Sequence, residues 1–214
     1  ASFFPQHEAE KLEKLICAIN MKPGSKDKLE LQINHKLGHQ IWIECKLQSI
    51  KERQAKSNIT LSIDNIDERK QAEFSLQHLA HHDTLTNLHN RYFFDQQLNL
   101  FCQNVSNGQQ HALLYIDLDH FKIINDSQGH QQGDKVLQKV AELFEQCVSG
   151  DALVCRLGGD EFAIILENTD LLDAHMIGES LCQTIENQSF RFGEQSYSIS
   201  CSIGLTQIDN KNCD

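Results

Sequence analysis

Two apolar runs, ALVCRL at 152–157 and FAIILE at 162–167, are separated only by Gly158-Gly159-Asp160-Glu161. Runs this short, joined by a gap this tight and glycine-rich, fold back on each other as two antiparallel strands. The glycines supply the backbone freedom that the tip of such a hairpin needs. The adjacent carboxylates are a different matter. A plain hairpin has no use for Asp160 crowded against Glu161, so the tip invites a chemical explanation.

The surrounding sequence fits this hairpin into a layered domain. HALLYIDLD at 111–119 is mostly apolar and predicts a strand buried on both faces. Asp117 and Asp119 end it, and at period two they share a side. Phe94, Leu98, Phe101 and Val105 mark a helix before it. Val136, Val140, Leu143 and Cys147 mark a second helix, and Leu172, Met176 and Leu181 a third. SYSISCSIGLTQ at 196–207 predicts a last strand. Helix alternating with strand, with one antiparallel hairpin, defines an α/β (α+β) layer domain over 83–214.

Residues 1–66 have another texture. QHEAEKLEKLICAIN at 6–20 places Leu12, Leu15, Ile16 and Ile19 at helical spacing, and Pro23-Gly24-Ser25 breaks the chain. Three strict alternations follow: Leu29, Leu31, Ile33; then Ile41, Ile43, Cys45, Leu47; then Ile59, Leu61, Ile63. They predict half-buried antiparallel strands with one solvated face. The charged stretch from 67 to 83 lacks Gly and Pro and carries a narrow stripe of Ala72, Leu76 and Leu79. It predicts a connecting helix over 67–82, either a short parallel dimer seam or a helix packed on its own domain.

Charge narrows the function. The net charge is −11, and no Lys/Arg block interrupts it. That argues against a duplex nucleic-acid surface but leaves room for one nucleotide held through a metal. The eight cysteines form no C-x-x-C pair. Most lie in apolar stretches and read as buried free thiols in a reducing compartment. No run reaches membrane-spanning length and no signal peptide is visible, so the expectation is a cytoplasmic chain. A parent protein can still be membrane-anchored by segments outside this window.

If the hairpin pairs beside 111–119, several carboxylates meet at one end of a sheet. Two unit charges roughly 4 Å apart cost about 4 kcal/mol at an intermediate effective dielectric. A divalent cation removes that cost. Hard oxygen ligands select Mg2+ or Mn2+ over zinc, and Mg2+ combines one or two carboxylates with substrate phosphates. The plainer alternative is a solvated turn with two strand-end aspartates. HFKIINDSQGHQQGD at 120–134 reads as a polar, glycine-containing loop whose N–H groups can meet phosphate. Lys122 can neutralise a phosphate oxygen. Asn125 and Asp134 can read a base edge, or can only stabilise a turn and cap the next helix.

Taken together, these segments resemble the GGDEF family of diguanylate cyclases. DTLTNLHNR at 83–91 is similar to the family's opening motif. YIDLDHFKIINDSQGHQQGD at 115–134 is similar to its metal and nucleotide segment, and RLGGDEF at 156–162 to its signature. The resemblance covers about 77–214 and implies a cyclase-like central sheet with surrounding helices. It implies that two GTP molecules, one on each of two facing domains, condense to cyclic di-GMP as pyrophosphate leaves. A homodimer and Mg2+ (or Mn2+) are implied with it. Residue by residue, the resemblance assigns Asp117, Asp160 and the Leu118 carbonyl to the metal. Asp160, with Glu161, would help deprotonate the attacking 3′-hydroxyl, and Lys122 would stabilise transition-state charge. Asn125 and Asp134 would recognise guanine with His130 nearby, and backbone amides around His120 and Phe121 would cradle phosphates. This is in-line displacement assisted by metal and positioned charge.

The sequence departs from the family in two places. Many members carry a product-inhibition site, R-x-x-D, ahead of the signature. The corresponding residues here are Ser149-Gly150-Asp151-Ala152, so no product inhibition is expected through that site. The family also continues past the 196–207 strand with a helix and a strand, which implies a C-terminally truncated domain and an inactive fragment of an active parent. The first 66 residues resemble the C-terminal part of a PAS sensor domain, through GHQIWIE at 38–44 and IDNIDERK at 63–70. That arrangement implies a sensor, a signalling helix and an output enzyme. One alternative is a non-catalytic GTP-binding regulatory module of a larger cyclic di-GMP phosphodiesterase. Another is a zinc-binding or interaction protein built on His78, His81 and His82, which helical spacing can bring to one face.

Overall fold

The alternating stretches of the N-terminal residues pair as an antiparallel sheet behind one helix. A computed structural model describes residues 3–22, 24–51, 57–104, 109–148, 150, 152–192 and 195–209. It divides into two units, Ala1–Leu76 and Gln77–Asp214. In the first, α1 (Gln6–Asn20) precedes β1 (Lys26–Asn34), β2 (Gln40–Lys51) and β3 (Ser57–Asn65), with sheet order β1-β2-β3. Ile19 of α1 packs with Leu31, Ile43, Cys45 and Leu47 in a small core. On β3, Leu61 and Ile63 point to the same face as their register partners Leu47 and Cys45 but remain 43% and 53% exposed. One helix about 10 Å wide covers roughly two strands spaced about 4.8 Å apart, so the outer strand is less buried than its alternation predicts.

Ion pairs occupy the opposite face. Glu44 on β2 meets Lys28 and Lys46 at 3.0 Å each. Hydrogen bonds from Lys46 and Lys28 pull its carboxyl down to about 2. The start of α2 (Asp67–His81) is tied to β2, because the Trp42 amide donates to the Asp67 carboxylate at 3.0 Å. None of the residues of α2 is buried: Leu76 and Leu79 of its apolar stripe stand exposed, and so does Phe74 on another side of the helix.

The second unit is built on a five-stranded mixed sheet of order β10-β5-β7-β6-β4. Its elements run β4 (His89–Asn90), α3 (Arg91–Asn104), β5 (His111–Asp119), α4 (Phe121–Gln128), α5 (His130–Cys147), β6 (Leu153–Gly158), β7 (Glu161–Leu166) and α6 (Leu171–Glu186). A two-stranded ribbon of β8 (Phe190–Phe192) and β9 (Gln195–Tyr197) precedes β10 (Ser200–Ile208). Among the described strands, only β4 and β6 run parallel. The even positions of β5 (Ala112, Leu114, Ile116, Leu118) enter the main core with Phe162 and Ile164 of β7, Val136, Val140 and Phe144 of α5, and Leu181 and Ile185 of α6. Phe144 meets Phe162 edge to face at 5.3 Å. Each such fully buried large side chain stabilises the fold by about 1.5–3 kcal/mol. The other face is narrower. There Leu113, Ala163 and Ile165 pack under Phe94 of α3.

Three expectations change. The 120–134 segment is not a loop but two helices, because Phe121 and Ile124 anchor a short helix on the core and Gly129 separates it from α5. The 196–207 strand is broken between β9 and β10, and the β8–β9 ribbon is too short to leave a clear alternation. Cysteine burial is mixed: Cys45, Cys155 and Cys201 are buried, Cys102, Cys147 and Cys182 intermediate, and Cys17 exposed. Val105, Ser149, Asp151 and Cys213 lie outside the described residues.

Candidate active site

Strand parity builds the site. On β5 the residues 113, 115, 117 and 119 share one face; α3 covers Leu113, and beyond it the face carries Tyr115, Asp117 and Asp119. Asp117 is register partner to Glu161, the first residue of β7, so the two carboxylates sit side by side on neighbouring strands. The Leu118 amide donates to the Asp160 carbonyl at 3.3 Å, which fixes the hairpin tip against the end of β5. Asp117 therefore feels its neighbours: burial first, then the charges of Asp160, Glu161 and Asp119, hold its carboxyl above the ordinary range. Arg91 reaches Glu161 at 3.4 Å.

Asp119, on the same side of the strand end, has partners of its own. Its carboxylate accepts from the hydroxyls of Ser200 at 2.7 Å and Ser202 at 2.8 Å, and those bonds lower its pKa. It fastens β10 to β5 instead of facing an open site.

The turn is held from behind. Gly158 and Gly159 both take positive φ, 143° and 56°, beside a register irregularity between Arg156 and Gly158. Arg156 donates twice to the Gly159 carbonyl, at 3.1 and 2.8 Å, and once to the Asp83 carboxylate at 2.9 Å. Asp83 also accepts from the amide and hydroxyl of Thr86. Burial raises its pKa, and the bonds from Thr86 and Arg156 outweigh that and leave it lowered.

The remaining predicted residues lie on the two helices after β5. His120 adopts a left-handed conformation, φ 61°, immediately before α4. Phe121 is buried, Lys122 exposed and Asn125 half-buried on α4. His130 opens α5, and Asp134 is exposed one turn later. Gly133 brings the helices close, since a Cβ there would overlap the Asn125 carboxamide oxygen. Asn125 thus lies against the residue preceding Asp134.

Among the described residues no three His, Cys, Asp or Glu side chains are grouped to hold a metal by themselves. The uncompensated crowding at Asp117 nonetheless fits a hard divalent cation of the Mg2+ type, which needs few protein carboxylates. Among the described residues the histidines form no such group either. His78 stacks on His82 at 4.1 Å, His82 meets His89 at 4.4 Å, and Asn87 bonds both His78 and His82.

Sequence reading missed Tyr115, Arg156, Ser200 and Ser202. Arg156 had a signal, lying inside the RLGGDEF stretch. The serines had none, because their partner is remote in sequence.

The fold is a mixed α/β domain whose central sheet ends in a strand-end carboxylate beside an acidic hairpin tip, with two short-linked helices directly after that strand. Residues 80–214 match the family described as "Diguanylate cyclase, GGDEF domain", and the chain belongs to that family. It is 36% identical over 159 residues to the "Probable diguanylate cyclase DgcE" of Escherichia coli (strain K12), covering 73% of this chain and 14% of that protein. It is 38% identical over 135 residues to the "Bifunctional diguanylate cyclase/cyclic di-GMP phosphodiesterase MucR" of Pseudomonas aeruginosa, covering 63% of this chain and 20% of that one. The chain thus spans a minor part of these relatives. The coiled coil and GGDEF domain of DgcB from Caulobacter crescentus, solved with c-di-GMP, superposes with a TM-score of 0.64 at 26% identity, covering 69% of this chain and 79% of that one.

Proposed function

We propose that this chain is the output part of a diguanylate cyclase, which condenses two GTP into cyclic di-GMP with release of pyrophosphate. The observation that carries the reading is the pairing of Asp117 with Glu161 and of Leu118 with Asp160 at one open strand end. Asp117, Asp160 and the Leu118 carbonyl would hold Mg2+ (or Mn2+), which when bound neutralises phosphate charge and acidifies the attacking 3′-hydroxyl. Asp160, aided by Glu161, accepts the proton from that hydroxyl. Lys122 sets positive charge against the leaving pyrophosphate. Amides at His120 and Phe121 orient the phosphates. Asn125 and Asp134 supply the mixed donor and acceptor groups that guanine presents in complement, with His130 beside them. Each domain carries half a product, so a homodimer is required. Residues 1–66 act as a PAS-like sensor portion, 67–82 as a signalling helix and 83–214 as the GGDEF domain. The chain works in the cytoplasm, and cyclic di-GMP does not inhibit it through residues 149–152.

A second reading has its own support: the curated relatives include proteins named as cyclic di-GMP phosphodiesterases, such as NbdA of Pseudomonas aeruginosa. In that case the domain binds GTP to regulate a neighbour. Incubation of the full-length parent protein with GTP and Mg2+ separates the two, with nucleotides resolved chromatographically. Cyclic di-GMP formed by the wild type and abolished in Asp160→Asn supports the cyclase. Retained, unconverted GTP supports the regulatory module. Wild-type turnover by Asp160→Asn refutes the assigned role of the tip.

A further inference from the structure

Cys182 on α6 and Cys201 on β10 take no part in the chemistry above. Their sulfurs lie 3.8 Å apart, and the Cys182 sulfur is 3.6 Å from the Cys201 carbonyl oxygen. A disulfide has an S–S length of about 2.05 Å, so closure needs an approach of roughly 1.8 Å, a movement on the scale of side-chain rotation.

The two thiols differ in access. Cys201 is buried, and burial together with the neighbouring Cys182 pushes its thiol far up. Cys182 is only partly buried and lines a cavity of about 120 Å³ with Leu114, Ala174, His175, Gly178 and Leu205. A water occupies about 30 Å³ of liquid, so the cavity admits a molecule of peroxide size.

We propose that Cys182 and Cys201 are a redox pair: hydrogen peroxide oxidises Cys182, and Cys201 resolves the product to a disulfide that joins α6 to β10. In the first step the Cys182 sulfur attacks one peroxide oxygen and the O–O bond breaks. The second oxygen leaves as water with the thiol proton, and Cys182 becomes a sulfenic acid. In the second step the Cys201 sulfur attacks the Cys182 sulfur, and the S–S bond forms as the S–O bond breaks. The departing hydroxyl takes the Cys201 proton and leaves as water. The two thiols give up two electrons and two hydrogens, and one peroxide becomes two waters. A dithiol reductant reverses the link by exchange.

The link would pin the strand position between Ser200 and Ser202, the two residues that hold Asp119. It also closes a short loop in the unfolded chain and raises the thermal midpoint by roughly 5 °C.

The test treats the full chain with hydrogen peroxide, blocks free thiols by alkylation and maps the peptides. The expected result is one linked pair joining 182 to 201, released by dithiothreitol, with the melting shift appearing and disappearing in step. Cys182→Ser removes link and shift, whereas Cys147→Ser keeps both. Recovery of both residues as alkylated thiols overturns the proposal. So does sulfinic acid at Cys182 with Cys201 free, or a link to another cysteine. The wild-type map needs no variant, so poor folding of Cys182→Ser leaves the test intact.

Discussion

Gly133 is buried within α5, where glycine costs about 1 kcal/mol of helix propensity against alanine. Its place is explained by Asn125, whose carboxamide fills the space a methyl group would take. Gly133→Ala should therefore gain helix propensity while displacing the Asn125 amide and pressing on the buried Phe121 ring, whose Cζ would lie 3.1 Å from the new methyl. Under the proposed function the KM for GTP rises roughly tenfold, about 1.4 kcal/mol of lost binding. Steady-state kinetics beside a thermal melt check it: an unchanged KM with an intact fold contradicts the guanine-reading role of Asn125. At this scale the place of Asp117 at a strand end and of Asp160 and Glu161 at a hairpin tip was legible, because such ends follow from local pattern. The bonds of Asp119 were not legible, because the two serines that claim it lie 81 and 83 residues further along. No local pattern encodes such a partner.

Among elements, the strands of the hairpin and β5 could be read from runs of apolar residues, and α5 from its period. The short helix α4 could not, since it is only eight residues long and only Phe121 and Ile124 of it are buried, with Ile123 exposed. Two-residue β4 was equally silent, yet it carries His89, whose ring stacks on Phe93 at 4.1 Å and meets that of His82 at 4.4 Å. Its Nδ1 is buried without a hydrogen-bond partner. Burial foremost, then His82, His81 and His78, hold its pKa below the ordinary imidazole value, against a backbone bond to His81 that raises it. Glu145 of α5 lines the same cavity as His82 and His89. The unfolded chain therefore takes up this proton more readily than the folded one, and stability is lost as pH falls through about 6.5. His89→Phe keeps the stacking and removes the proton site. Melting curves from about pH 8 to about pH 5.5 should show a shallower decline for His89→Phe than for the wild type. Identical slopes would place the acid sensitivity elsewhere.

At the scale of the whole molecule, the two units each carry a core of their own, and the boundary between them falls after Leu76 within α2. Leu76 and Leu79 of the apolar stripe on that helix stand exposed, the face that the proposed dimer would use. Since the proposed reaction joins nucleotides from two domains, turnover per chain should rise with protein concentration until dimerisation saturates. Rates measured across a dilution series check this, and a constant specific rate from dilute to concentrated protein would speak for a self-sufficient monomer. The strand order β10-β5-β7-β6-β4 has one more effect. Asp117 and Glu161 ride on interior strands, while the margins fall to β10 and the brief β4. Fraying begins where a strand has a neighbour on one side only, so either border of the sheet can come loose while the acidic pair stays in register.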